Sequence, residues 1–178
     1  QDIDIPAGET AFVSRDSYVL PVDVEIHGVQ PHAHYLAREV NGFATLPNGD
    51  RRWLIRIDDW DFDWQDFYSY AEPFILPKGT ELTMEFTYDN SLGNLRNPRA
   101  SPERVTWGQK SWNEMGDLWV QVLPRSPVDL ATLRAPDPAE TSGPWRGHLT
   151  TAGLESTPLF GSRSDTDEVT AQVRGMPG

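Results

Sequence analysis

The residues with the clearest chemical potential are His32 and His34, in the stretch Gln30-Pro31-His32-Ala33-His34-Tyr35. An extended strand turns alternate side chains to the same side, so the two imidazoles point the same way, roughly 6–7 Å apart along the backbone. Two imidazoles converging from one face can grip a single metal ion. The same pair, taken alone, also reads as two surface histidines on a solvated strand face. A second stretch far downstream, Ser111-Trp112-Asn113-Glu114-Met115-Gly116-Asp117, places Met115 between a polar turn and a new apolar strand, an odd place for a core methionine. Two imidazoles and a thioether suit copper, and Cu(I) in particular, better than zinc or magnesium, because soft sulfur selects a soft ion.

The elements that must position these residues are strands. Val22, Val24 and Ile26 alternate with Asp23, Glu25 and His27, which puts His27 on the polar phase as an exposed strand histidine. A strand is expected from Tyr35 to Leu46, ending at Pro47-Asn48-Gly49-Asp50, a good hairpin turn into Arg52–Ile57. Two more follow, from Phe67 to Leu76 and from Thr80 to Tyr88, with Leu82, Met84 and Phe86 on one side and Met84 therefore in the core. Val105–Trp107 and Leu118–Leu123 close the set. Short strands at regular spacing with turn signals between them predict an all-β fold, an antiparallel jelly-roll β-sandwich over residues 1–124. Between strands, Asp59, Asp61 and Asp63 imitate the first ligands of a calcium loop. The imitation fails, with Trp64 in the sixth position and Tyr70 in the twelfth. A structured loop with buried aromatics and solvated carboxylates accounts for it better.

Composition narrows the function. The 178 residues suffice for one core of ordinary size, and a net charge of −12 speaks against nucleic acid and against an anionic membrane surface. No apolar run is long enough to span a bilayer. With no cysteine there is no disulfide and no thiolate ligand. Phosphate-binding glycine loops, G-x-S-x-G and H-E-x-x-H are all missing, and His148 stands alone as a structural or exposed histidine. The chain starts at Gln1 without Met, as expected of a processed product or an excised segment, and copper chemistry fits an extracytoplasmic, periplasmic location.

Residues 18–123 resemble the C-terminal, copper-binding half of the type II, ascorbate-dependent copper monooxygenases, the family of peptidylglycine and dopamine hydroxylases, and more closely its bacterial relatives. The matching pieces are Leu20-Pro21-Val22-Asp23-Val24, Pro31-His32-Ala33-His34-Tyr35-Leu36, Leu76-Pro77-Lys78-Gly79-Thr80 and Asn113-Glu114-Met115. The resemblance implies a jelly-roll sandwich and one catalytic copper, with His32, His34 and Met115 as its ligands. It also implies a preceding sandwich carrying a second, electron-storing copper, and nothing ahead of the His pair here is expected to supply that half. Amidating members bind their substrate through an Arg before the His pair and an Asn and a Tyr after the Met. Here those places hold Gln30, Asp117 and Trp119, and Asp117 would repel a substrate carboxylate.

Two functions follow. One is a non-catalytic accessory or assembly subunit of a larger complex that keeps the copper-binding sandwich. The alternative is an ascorbate-dependent monooxygenase that hydroxylates a C–H bond of a small substrate, with electrons from another domain or chain. Residues 125–178 read as an extended Pro/Gly-rich tail. Ser126-Pro127 opens one short helix, and beyond Ala135 no sustained period appears. Such a tail cannot offset its own ordering entropy, so it is expected to dock on a protein partner through anchors such as Trp145, Leu149, Leu154, Leu159 and Phe160.

Overall fold

Residues 82, 84 and 86 show how the strands are built. Leu82, Met84 and Phe86 are buried while Glu81, Glu85 and Thr87 alternate with them, so this strand turns one face to the interior. The computed structural model describes residues 3–134, 148–150 and 169–174. In chain order the strands are β1 (Asp4–Ile5), β2 (Phe12–Val19), β3 (Val24–Ala33), β4 (Ala37–Thr45), β5 (Arg51–Ile57), β6 (Tyr68–Leu76), β7 (Glu81–Tyr88), β8 (Val105–Thr106) and β9 (Gly116–Pro124). The 3-10 turn Pro127–Asp129 and helix α1 (Leu130–Arg134) follow, then β10 (His148–Thr150) and β11 (Val169–Arg174).

These strands make an all-β, sandwich-like fold of antiparallel sheets. One sheet has the order β2-β7-β4-β5, the other β10-β11-β9-β3-β6, and β1 and β8 form a two-stranded ribbon. Both large sheets contribute to one core, with Val24, Ile26 and Val122 from one and Val40, Met84 and Phe86 from the other. The sheets are in close contact at Gly42 on β4, where a Cβ would come within 2.6 Å of a Leu118 methyl on β9 and that side chain would have to move.

The turn after β4 closes as expected, with the Leu46 amide donating to the Asp50 carbonyl at 2.8 Å and the Gly49 amide to the Leu46 carbonyl at 2.8 Å. The helix also forms where Pro127 predicts it, and its Leu133 is buried in the sandwich core. Ser126 makes no side-chain cap, so the proline alone marks that start.

Two expectations change. The chain beyond Ala135 does contain regular structure: β11 pairs with β9 from Val169↔Val122 to Arg174↔Asp117. Val169, Ala171 and Val173 carry a period of two that is easily lost among the surrounding Pro, Gly and Ser, and β11 covers backbone groups that β9 would otherwise leave at a sheet edge. The expected anchors Trp145, Leu154, Leu159 and Phe160 lie outside the described residues, and nothing in the structure places a partner on the tail.

The second change concerns β3, where His27, expected as an exposed strand histidine, is half-buried. Unbroken alternation would carry the phase of Val24 and Ile26 on to His32. Instead, the pairing with β9 slips between Ile26 and Gly28, so that one extra residue, His27, interrupts the ladder. Beyond this bulge Val29, Pro31 and Ala33 are buried, while Gln30 is exposed and His32 half-buried on the other face. Gly28 is required there, since a Cβ would lie 2.6 Å from the Phe67 ring and 2.7 Å from the Tyr68 carbonyl oxygen. His27 sits in the bulge with Nε2 3.0 Å from Glu25 Oε1.

Candidate metal centre

The end of β3 delivers His32 and His34 as two rings with centroids 5.2 Å apart and planes at 84°. His32 is half-buried; His34, just past the strand, is only 4% exposed. Burial lowers the affinity of His34 for a proton below that of an ordinary imidazole, its hydrogen bond to the Asn113 carbonyl opposes this, and the neighbouring His32 lowers it further. A neutral imidazole is the form that binds a metal.

β9 brings the second half of the site. Its register pairs His32 with Asp117 and Ala33 with Gly116, and just beyond the ladder the amides of His34 and Met115 share one acceptor, Glu114 Oε1. The Met115 backbone is held at both ends. Its amide donates to Glu114 Oε1 at 2.9 Å, and its carbonyl accepts from the Tyr88 hydroxyl at 2.9 Å. The structure thus brings the two imidazoles together and sets the Met115 backbone beside that of His34.

Glu114 joins the two stretches. It is fully buried, and its carboxyl accepts three backbone amides: His34 and Met115 on Oε1, and Leu36 on Oε2 at 2.9 Å. Burial pushes the Glu114 carboxyl up to about 8, while the amides of Met115, His34 and Leu36 pull the other way. A buried side chain that answers three N–H groups is a cross-link between segments some 80 residues apart. In the sequence, its place beside Met115 is the one feature that sets Glu114 apart.

The two rings are oriented by acceptors on their Nδ1 atoms. His34 Nδ1 lies 3.1 Å from the Asn113 carbonyl oxygen, and His32 Nδ1 lies 2.5 Å from Gln65 Oε1. A backbone carbonyl only accepts, so His34 Nδ1 carries the proton and its Nε2 keeps a lone pair.

Gln65 belongs to the aspartate-rich loop between β5 and β6. Trp60 anchors that loop: it is buried, its indole N–H donates to the His34 carbonyl at 3.1 Å, and its amide donates to the Arg38 carbonyl at 2.8 Å. Phe62 packs edge-on against His34, ring centroids 5.7 Å apart, and lies 4.4 Å from the Tyr35 ring. Two of its carboxylates have partners within the chain. Asp59 takes both terminal nitrogens of Arg96, at 2.7 and 3.2 Å, and Asp61 Oδ1 accepts the Asp63 amide at 3.0 Å. Only part of the loop's aromatic surface is buried, since Trp64 is 75% exposed.

Among the described residues no three His, Asp or Glu side chains gather as a metal-holding group. No helix among them is long and apolar enough to cross a membrane. No protein-family model matches the chain, and no curated protein matches it.

Proposed function

We propose that this chain is a copper-binding, monooxygenase-like sandwich that serves as a non-catalytic accessory subunit of a larger assembly outside the cytoplasm. His32, His34 and Met115 would hold one copper ion. In the hydroxylating members of the family it resembles, such an ion supplies redox chemistry with dioxygen. The observation that carries the reading is the pair of imidazoles 5.2 Å apart, one with its Nδ1 spent on a backbone carbonyl, beside a methionine whose backbone is pinned at both ends. An imidazole that donates its other N–H to a fixed oxygen is what metal sites ordinarily use. The strand order supports the jelly-roll part of the proposal, because consecutive strands β2, β3 and β4, and later β5, β6 and β7, pass back and forth between the two sheets.

Two features favour an accessory role. Asp117, buried and paired in register with His32, places a carboxylate where amidating relatives bind a substrate's carboxylate. Trp64, Leu92, Leu95 and Trp112 are large apolar side chains left in solvent, the kind of surface a partner covers. The hydroxylating alternative keeps one observation in its favour, the solvent access of half-buried His32.

The test is Cu(I) titration of the purified protein against a competing chromophoric chelator, followed by oxygen uptake with ascorbate. One tightly held copper per chain, lost in His34→Ala, and no copper-dependent oxygen uptake is the expected result. Undiminished affinity in His34→Ala removes the metal assignment. Copper-dependent uptake of oxygen replaces the accessory reading with the enzymatic one.

A further inference from the structure

We propose that Gln65 is the positioning residue of His32: its side-chain amide holds the ring protonated on Nδ1 and leaves Nε2 as the nitrogen able to bind a metal. The purpose of this arrangement rests on the copper reading above; the proton's location rests on geometry alone. Gln65 Oε1 lies 2.5 Å from His32 Nδ1, and the other end of the same amide, Nε2, lies 2.7 Å from the Phe62 carbonyl oxygen. A carbonyl cannot donate, so the Gln65 NH2 group must face Phe62 and its oxygen must face His32. An amide oxygen cannot donate either, so the shared proton sits on His32 Nδ1. The neutral ring then has its lone pair on Nε2.

The loop that carries Gln65 is built for this. Trp60 ties it to the His34 carbonyl, Phe62 lies against the His34 ring, and the Trp64 amide donates to the Asp61 carbonyl at 3.1 Å, closing the turn that points Gln65 back at β3. One loop therefore touches the backbone and ring of His34 and the ring of His32. Its aspartates, which imitate a calcium loop in the sequence, shape the turn and bind Arg96.

The experiment reads the tautomer directly, in full-length, metal-free protein labelled with nitrogen-15, from long-range proton–nitrogen spectra taken above the imidazole titration. His32 should carry its proton on Nδ1. Gln65→Leu should move the ring toward the Nε2-protonated form and weaken Cu(I) binding by about 10–100-fold. Gln65→Glu, which keeps an acceptor on that nitrogen, should retain the tautomer and most of the affinity. A residue that merely packs would change thermal stability and leave the tautomer alone. Wild-type His32 protonated on Nε2, or an unchanged tautomer in Gln65→Leu, overturns the proposal. A flipped tautomer with undiminished Cu(I) affinity overturns its functional half. Wild-type protein that binds no Cu(I) would end the copper reading, while the spectra would still decide where the proton sits.

Discussion

His32 and His34 stand two residues apart at one strand end, yet the interior holds one and a surface loop holds the other. Around His34 the partners are buried or backbone: the Glu114 carboxyl on its amide, the Asn113 carbonyl on its ring, the Trp60 indole on its carbonyl. Around His32 the ring's partner is one half-buried glutamine, flanked by exposed Asp63, Trp64 and Asp66. A hydrogen bond contributes more to stability when its loss leaves a buried group unanswered than when water can replace it. His34 should therefore be part of the folding core, and His32 an adjustable group at its margin.

The strongest way to break this comparison is Glu114→Ala. Three buried amides lose their acceptor, and at about 1–3 kcal/mol for each orphaned group the loss should reach about 3–9 kcal/mol in urea denaturation. Gln65→Leu should cost less than about 1 kcal/mol by the same measurement, within the range of one partly solvated hydrogen bond. Equal costs for the two would show that the two histidines are held alike.

The next effect tests the bulge. Gly28→Ala forces a Cβ against the Phe67 ring and the Tyr68 carbonyl, and should destabilise the fold by about 1–3 kcal/mol, as overpacking does. Because that residue sets the face on which His32 emerges, the backbone amide shifts of residues 29–34 should change in the variant. Shifts confined to the neighbours of Gly28 would show that the phase is set elsewhere.

A smaller effect, between β5 and β6, supplies a control. The Tyr70 hydroxyl on β6 donates to the Leu54 carbonyl on β5 at 2.8 Å, joining the edges of the two sheets. Burial pushes its ionisation up to about 12, with Arg52 opposing. An unfolded tyrosine ionises near pH 10, so the folded state binds more protons than the unfolded one above that pH. Stability from Tyr70 is thus complete below about pH 10 and is lost as pH rises toward 12. Tyr70→Phe should flatten that alkaline decline, cost about 1 kcal/mol at neutral pH and leave Cu(I) affinity unchanged. A decline of the same slope in the variant would assign it to other groups.

The smallest effect belongs to the pair Asp59–Arg96, in which the Asp59 side chain is 68% exposed and that of Arg96 35%. Asp59→Asn should change stability by less than about 1 kcal/mol, and less still in high salt. A larger loss would mean that the loop's outer ion pair does share in holding Trp60 and, through it, His34.

Much of the fold was legible because strand periodicity is local. Leu82, Met84 and Phe86 announce their buried face within seven residues, and Pro47-Asn48-Gly49-Asp50 announces its turn within four. The histidines were legible for the same reason, since residues i and i+2 of a strand share a face whatever surrounds them. β11 was hidden because six alternating residues in a Pro/Gly-rich tail carry too weak a pattern by themselves. The partners of the site were hidden for a different reason. Glu114 and Gln65 look like any other glutamate and glutamine until the chain is folded.

By itself the sequence determined the two periodicities, the turn chemistry and the pairing of His32 with His34 on one side of a strand. The tertiary structure alone decided which side that was. One extra residue at His27–Gly28 reverses the phase of everything after it, and a bulge exists only relative to the strands that pair with it. It alone also decided that Glu114 answers amides some 80 residues away and that Gln65 meets an imidazole 33 residues away. Hydrogen-bond completion is a property of the folded neighbourhood, where a polar group removed from water takes whatever partner the packing brings within reach.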